Sequence, residues 1–322
     1  MPEYTGSNLN GKQFSSLVQH LSQQKDSRFG DKVRNETVTN AEEAYFNLFS
    51  PDGEPSQDTT RHGVTPWGEY DATRRKVIPY TWEAAKMIDK KDVVRMTVDP
   101  QNPVVQSHAM SFARKKDRII YSAMLGTALE GKEGGTSKSF KDESISINGD
   151  GTVTTLGTLA ANGTEVPMTY SKILTMMTLF NEADVDPGIE KLWAVSPNDI
   201  KHMMNLEEII SEDYRRLSEI DRGGVRNVLG FNFFWWNYLD KDTVDGTSNR
   251  TVAWAKDGVI CAKIGELETT INILPEHKNS TGVYSTMDLG AVRMEGAKVH
   301  ECLNLITQTL TTSNVRGYPA SA

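Results

Sequence analysis

At 322 residues, with 38% hydrophobic, 24% charged and 8% aromatic residues, the chain has the composition of a folded protein with room for two core-bearing units. A formal charge of -8 excludes a global basic field for drawing in nucleic acid or an anionic membrane. The two cysteines, Cys261 and Cys302, lie in separate apolar segments, which argues against a disulfide framework or a zinc site, and no apolar signal core or membrane-length apolar run is present.

Residues 1–39 are polar, with too few apolar positions to build a core, and read as an arm held down by neighbouring copies. Asn40 followed by Ala41, Glu42 and Glu43 resembles a capping box and predicts a short helix to Phe49, ended by the turn at Pro51, Asp52 and Gly53. After a loop to about Gly68, residues 74–82 predict a strand with Ile78, Tyr80 and Trp82 on one face. Pro79 confines that strand to a sheet edge or an isolated hairpin. Residues 92–98 predict its antiparallel partner in an extended ribbon, a form that is marginally stable alone and leans on another chain.

Asn102 and Pro103 mark the start of the longest predicted helix, which runs to about Glu130 and crowds Arg114, Lys115, Lys116 and Arg118 into one region. Turns and short strands are expected from Gly131 to Pro167. A helix over 169–183 should place Tyr170, Ile173, Leu174, Met177 and Phe180 on one face. Leu192 to Val195 reads as a buried strand, followed by a helix capped by Ser196 with Pro197 at its first position, and residues 208–220 as a further helix. Residues 228–236 are apolar on both faces, as in a strand covered on both sides. Further strands are expected over 251–254, 258–264, 269–274, 283–289 and 297–306. Those from Thr269 onward should return beside the long helix.

This order of parts resembles the major capsid protein of tailed bacteriophages, whose fold is named after phage HK97. The resemblance covers nearly the whole chain. Its anchors are residues 104–114 as a spine helix, 192–197 and 228–233 in a central domain, and 288–293 near the end. It implies an α+β, HK97-like fold in four parts: an N-terminal arm over 1–40, an extended β-hairpin loop over 41–100, a peripheral domain over 101–167 and 269–322 with its spine helix at 103–130, and an axial α/β domain over 168–268. It further implies a virion subunit, assembled in the host cytoplasm, that forms pentamers and hexamers of an icosahedral head around double-stranded DNA. Contact with the packaged DNA would carry no sequence specificity. Separate scaffolding, portal and decoration proteins are the expected further partners, and no membrane. The alternative within the same fold is an encapsulin-like compartment around a cargo protein. Candidate contacts between subunits are Arg74, Arg75, Lys76, Tyr80, Trp82, Arg114, Lys115 and Arg118. Some members of the family crosslink an extended-loop lysine to a neighbour's asparagine. Lys76, Lys86, Lys90 and Lys91 lie in that region, but no acceptor is assignable and no crosslink is expected.

Catalytic chemistry finds little footing in the sequence. The segment 126–133 comes close to a phosphate loop, but Glu133 stands where a magnesium-binding hydroxyl is needed and the segment closes a helix where it should open one. Ser196, Asp199 and His202 lie close together, yet Ser196 is better explained as a helix cap, and no nucleophile-elbow pattern accompanies it. The histidines have neither zinc-helix spacing nor a partner cysteine. No enzyme activity, cofactor or metal is therefore expected.

Overall fold

The computed structural model describes residues 20, 22–39, 41–51, 53–55, 57, 61, 63–64, 67–91, 101–158, 166–206, 220–221, 224–225, 227–242 and 246–306. In chain order its elements are β1 (Arg34–Thr37), β2 (Ala44–Phe49), β3 (Ala72–Val77), β4 (Tyr80–Ile88), α1 (Gln101–Leu125), β5 (Ala128–Glu130), β6 (Thr136–Lys138), α2 (Phe140–Glu143), β7 (Ser146–Ile147) and α3 (Tyr170–Glu182). They continue with β8 (Lys191–Val195), α4 (Pro197–Met203), β9 (Ile220–Asp221), β10 (Gly224–Val225), β11 (Asn227–Val228), β12 (Phe231–Trp235), β13 (Ser248–Ala255), β14 (Val259–Leu274), β15 (Ser280–Arg293) and β16 (Val299–Leu305). One compact unit takes its described residues from Met1–Ser27, Thr81–Lys115 and Gly265–Asp288; a larger one takes them from Arg28–Tyr80, Lys116–Ile264 and Leu289–Ala322.

The core of the larger unit is a six-stranded sheet in the order β11-β12-β8-β13-β16-β7. β8 is buried along its whole length, flanked by β12 in parallel and β13 antiparallel, with Trp193 and Val195 in the core that α3 covers. The parallel pair requires a crossover, and α4 lies in it. On one face Ile173, Met176, Leu179 and Phe180 of α3 pack against Trp193, Phe231, Phe233 and Cys302. Phe29, Tyr121 and Trp236 gather with Trp254 and Phe234 in a second aromatic cluster. A second sheet in the same unit, β2-β3-β5-β6, is antiparallel throughout. Ala44, Val77 and Ala128 from it share a small core with Ile260, Ala262, Val292 and Met294.

In the smaller unit the first part of α1 packs on strand residues of β15, where the ring of buried His108 and the Ser285 hydroxyl share a hydrogen bond of 3.1 Å. This unit also holds the greater part of β4, β14 and β15, with β15 between β14 and β4.

Several sequence expectations are corrected. Residues 44–49 form a strand, not a helix. Ala44, Phe46 and Leu48 point to one core while Tyr45, Asn47 and Phe49 alternate outward, a period of two that overrides the capping signal. The strand expected over 74–82 breaks at Ile78 and Pro79, where proline has no amide to donate. Gly290 approaches closely at that break, since a Cβ there would lie 2.9 Å from the Ile78 carbonyl oxygen. The first half, β3, pairs with β2 and β5; the expected ribbon partner, 92–98, lies outside the described residues, as does most of the helix expected over 208–220.

The spine helix has 25 residues, about 37 Å, and stops at Leu125, so that 128–130 is strand β5 instead of a last helical turn. The buried stripe of α3 is Lys172, Ile173, Met176, Leu179 and Phe180, leaving Leu174 exposed. The strand over 228–236 is interrupted by a left-handed turn at Leu229 and Gly230, whose φ angles are 52° and 84°. The two strands expected over 258–264 and 269–274 are one 16-residue strand. β16 lies in the six-stranded sheet between β13 and β7, not beside the long helix.

Candidate assembly surfaces

The N-terminal segment is pinned by its own chain. The amides of Arg28 and Phe29 donate to the buried carboxylate of Asp117 on α1 at 2.9–3.1 Å, which compensates a charge withdrawn from water. Phe29 is fully buried, stacked on Trp254 at 5.3 Å and edge-on to Phe234 and Trp236. The Arg28 guanidinium lies 3.4 Å from the centre of the Trp235 ring. From there β1 adds in parallel to β14, Arg34 opposite Ile260. The expectation that the whole arm depends on other copies is corrected for residues 28–37.

The β2–β3 hairpin has the opposite character. Its register runs from Ala44 opposite Val77 to Phe49 opposite Ala72, and beyond it the chain leaves Val64 93%, Trp67 90%, Tyr70 79% and Phe49 70% exposed. Large apolar side chains exposed in such numbers are uncommon on a monomer's surface.

The root of the hairpin is fastened by buried charges. Arg75, 5% exposed, donates to the Glu143 carboxylate and to the Met294 carbonyl at 3.0 Å, with Glu130 at 3.6 Å. Arg293, fully buried, reaches the same Glu143 at 3.3 Å and donates to the carbonyls of Met124 and Gly126 at 2.7 and 3.0 Å. Two guanidiniums thus share one carboxylate, and that of Arg293 caps the end of α1. Burial pulls the Arg293 guanidinium down from the usual arginine range, and Glu143 opposes that pull.

Of the eight candidate contact residues, Arg74 is exposed and donates to Asn47 at 2.8 Å, and Tyr80 is 61% exposed. Lys76 pairs with Glu43 at 2.5 Å. Trp82 has the Lys115 ammonium 3.6 Å from its ring centre. Arg114 donates to Gln23 at 2.8 Å, and Arg118 pairs with Asp240 at 2.5 Å. Arg75 is the one of the eight that is buried in an intrachain network. The cationic cluster on α1 is therefore spread over separate intrachain partners. Residues that sequence reasoning missed are Phe29, Glu143 and Arg293. A phenylalanine in a polar segment was the only available signal, since nothing local marks a charge as buried.

The near-phosphate loop forms the β5–β6 hairpin. Ser196 acts as a cap, accepting from the Asp199 amide at 3.2 Å while its hydroxyl donates to the Asp199 carboxylate at 2.7 Å.

The fold thus combines a β-hairpin in an all-antiparallel sheet, a long helix and a mixed six-stranded sheet packed against α3. The phage capsid protein family model matches residues 7–305, and the chain belongs to that family. Solved structures with the same fold include the capsid of Ralstonia phage GP4, with a TM-score of 0.68 at 11% identity over 95% of this chain and 98% of that one. They include the capsid of cyanophage P-SCSP1u, at 0.67 and 14% over 92% and 93%, and the mature capsid of bacteriophage PhiM1, at 0.65 and 11% over 95% and 96%. None of the curated proteins searched matches the sequence.

Proposed function

We propose that this capsid protein is the major head subunit of a tailed phage, with a structural and not a catalytic role. Its copies gather as pentamers and hexamers of an icosahedral shell around double-stranded DNA. The observation that carries the reading is the hairpin, fastened at its root and apolar at its exposed end, with Trp67 90% exposed. Such a surface finds its burial on another copy, and obligate contacts of this kind bury more than about 2,000 Å² in total. Repetition over a closed lattice turns many modest contacts into a stable shell.

The four-part division follows: an arm, an extended loop, a peripheral part built on α1, and an axial part. Residues 168–268 supply β8, β11, β12 and β13 of the six-stranded sheet, joined by β16 and β7 from outside that range. Among the eight contact candidates, exposure favours Arg74 and Tyr80 as residues that meet a neighbour. The formal charge of -8 leaves DNA contact local and without sequence preference. Scaffolding, portal and decoration proteins would be separate chains, and assembly would take place in the host cytoplasm before the subunit is found in the virion. Negative-stain electron microscopy and sedimentation of the purified full chain test the reading: closed shells of uniform diameter are expected, and a population that stays monomeric at every concentration would refute it.

A further inference from the structure

Beside the hairpin, the start of β3 and the β5–β6 turn enclose an open groove of about 570 Å³. Arg74, Lys132 and Lys138 bring three cations to it, with Asn47 and Thr136 as uncharged polar lining. Its one carboxylate, Glu130, faces Arg75 at 3.6 Å and Lys138 at 3.9 Å, so the groove keeps an excess of positive charge. The net charge of the chain is -8, which makes this local reversal of sign a distinct feature. The hairpin end carries the complement: residues 50–71 hold five acidic side chains against the single Arg61. Glu54 and Glu69 are both exposed, as are Trp67 and Tyr70.

We propose that the groove of Arg74, Lys132 and Lys138 receives the acidic hairpin end of a second copy, with Glu54 and Glu69 as the carboxylates that enter it. The proposal rests on the shell reading and names the surface that reads the hairpin. Groove and hairpin end are different patches of one chain, so the contact is head-to-tail, the type that closes into rings when the rotation allows. Trp67 brings a ring face on which a lysine or arginine of the groove can stack. Exposed charge pairs are screened beyond about 8 Å at physiological salt, so the contact sets which surfaces meet and weakens as salt rises.

The test is complementation between full-length chains carrying opposite reversals. Lys132→Glu with Lys138→Glu reverses the groove, and Glu54→Lys with Glu69→Lys reverses the hairpin end. Each reversed chain alone should need at least ten times the parent's concentration to form particles, by light scattering and electron microscopy. A one-to-one mixture should recover part of that loss, because alternating copies in six-membered rings offer each other complementary surfaces while a five-membered ring keeps one mismatched pair. Thermal unfolding of each reversed chain should match the parent's, and the recovery on mixing itself requires both to be folded. Reversed chains that assemble as the parent does would overturn the groove alone. So would rescue that occurs only when all four substitutions are in one chain, since the contact would then lie within one molecule. A parent chain that forms no particles would overturn the shell reading and the groove with it.

Discussion

At the residue scale, stability is concentrated at positions whose importance depends on what surrounds them. Phe29 is the one phenylalanine, tyrosine or tryptophan between Phe14 and Tyr45, yet Trp254, Trp236 and Phe234 enclose it. Truncating a fully buried phenylalanine in such a socket costs about 3–5 kcal/mol. Phe29→Ala should lower the denaturant midpoint accordingly, and a loss below about 1 kcal/mol would mean that the socket closes without it. His300 is one buried residue that ties stability to pH. Burial holds its imidazole down at about 4, against an ordinary value near 6.5, and its Nδ1 accepts from the Ile145 amide. Above the ordinary value both folded and unfolded chains are neutral at this site. As pH falls the unfolded chain takes the proton first, so stability is complete above about pH 6.5 and is lost progressively down to about pH 4. The full span of the shift corresponds to roughly 3 kcal/mol. Denaturant midpoints measured at pH 7.5 and 4.5 should converge by most of that amount in a His300→Gln variant; an unchanged gap would assign the acid sensitivity to other groups.

At the scale of the element, the hairpin root shows charge working as a fastener. Glu143 on α2 accepts from Arg75 of β3 and Arg293 of β15, so one carboxylate joins three elements distant in sequence. Removing it leaves two buried guanidiniums without their shared counter-charge, and breaking a buried pair from one side costs about 3–5 kcal/mol. Glu130 near Arg75 offsets part of this, so Glu143→Gln is expected at the lower end, about 3 kcal/mol, read by thermal or denaturant unfolding. Elements defined by nearest neighbours were legible in the sequence. Ser196 with Pro197 gave the cap of α4, and Thr169 caps α3 through its hydroxyl. Residues 44–49 were misread because two local signals competed. The capping pattern pointed to a helix, while the alternation of Ala44, Phe46 and Leu48 pointed to a strand, and only pairing with β3 decides between them. The spine helix was overextended because nothing local announces that 128–130 will pair with β3 and β6.

At the scale of the whole molecule, the sequence by itself determined the composition of a folded chain, the punctuation by proline and helix caps, the existence of a strand beginning at Phe231, and the order of parts that resembles a phage capsid subunit. These are properties of neighbouring residues or of their succession, and they survive without knowledge of what lies across space. Only the tertiary structure decided that β16 enters the six-stranded sheet, that β1 pairs with β14 more than two hundred residues away, and that Arg75 and Arg293 are buried while Arg74 is exposed. The physical reason is that strand pairing and charge burial are set by contacts distant along the chain, and a strand or an arginine carries no mark of the partner it will meet.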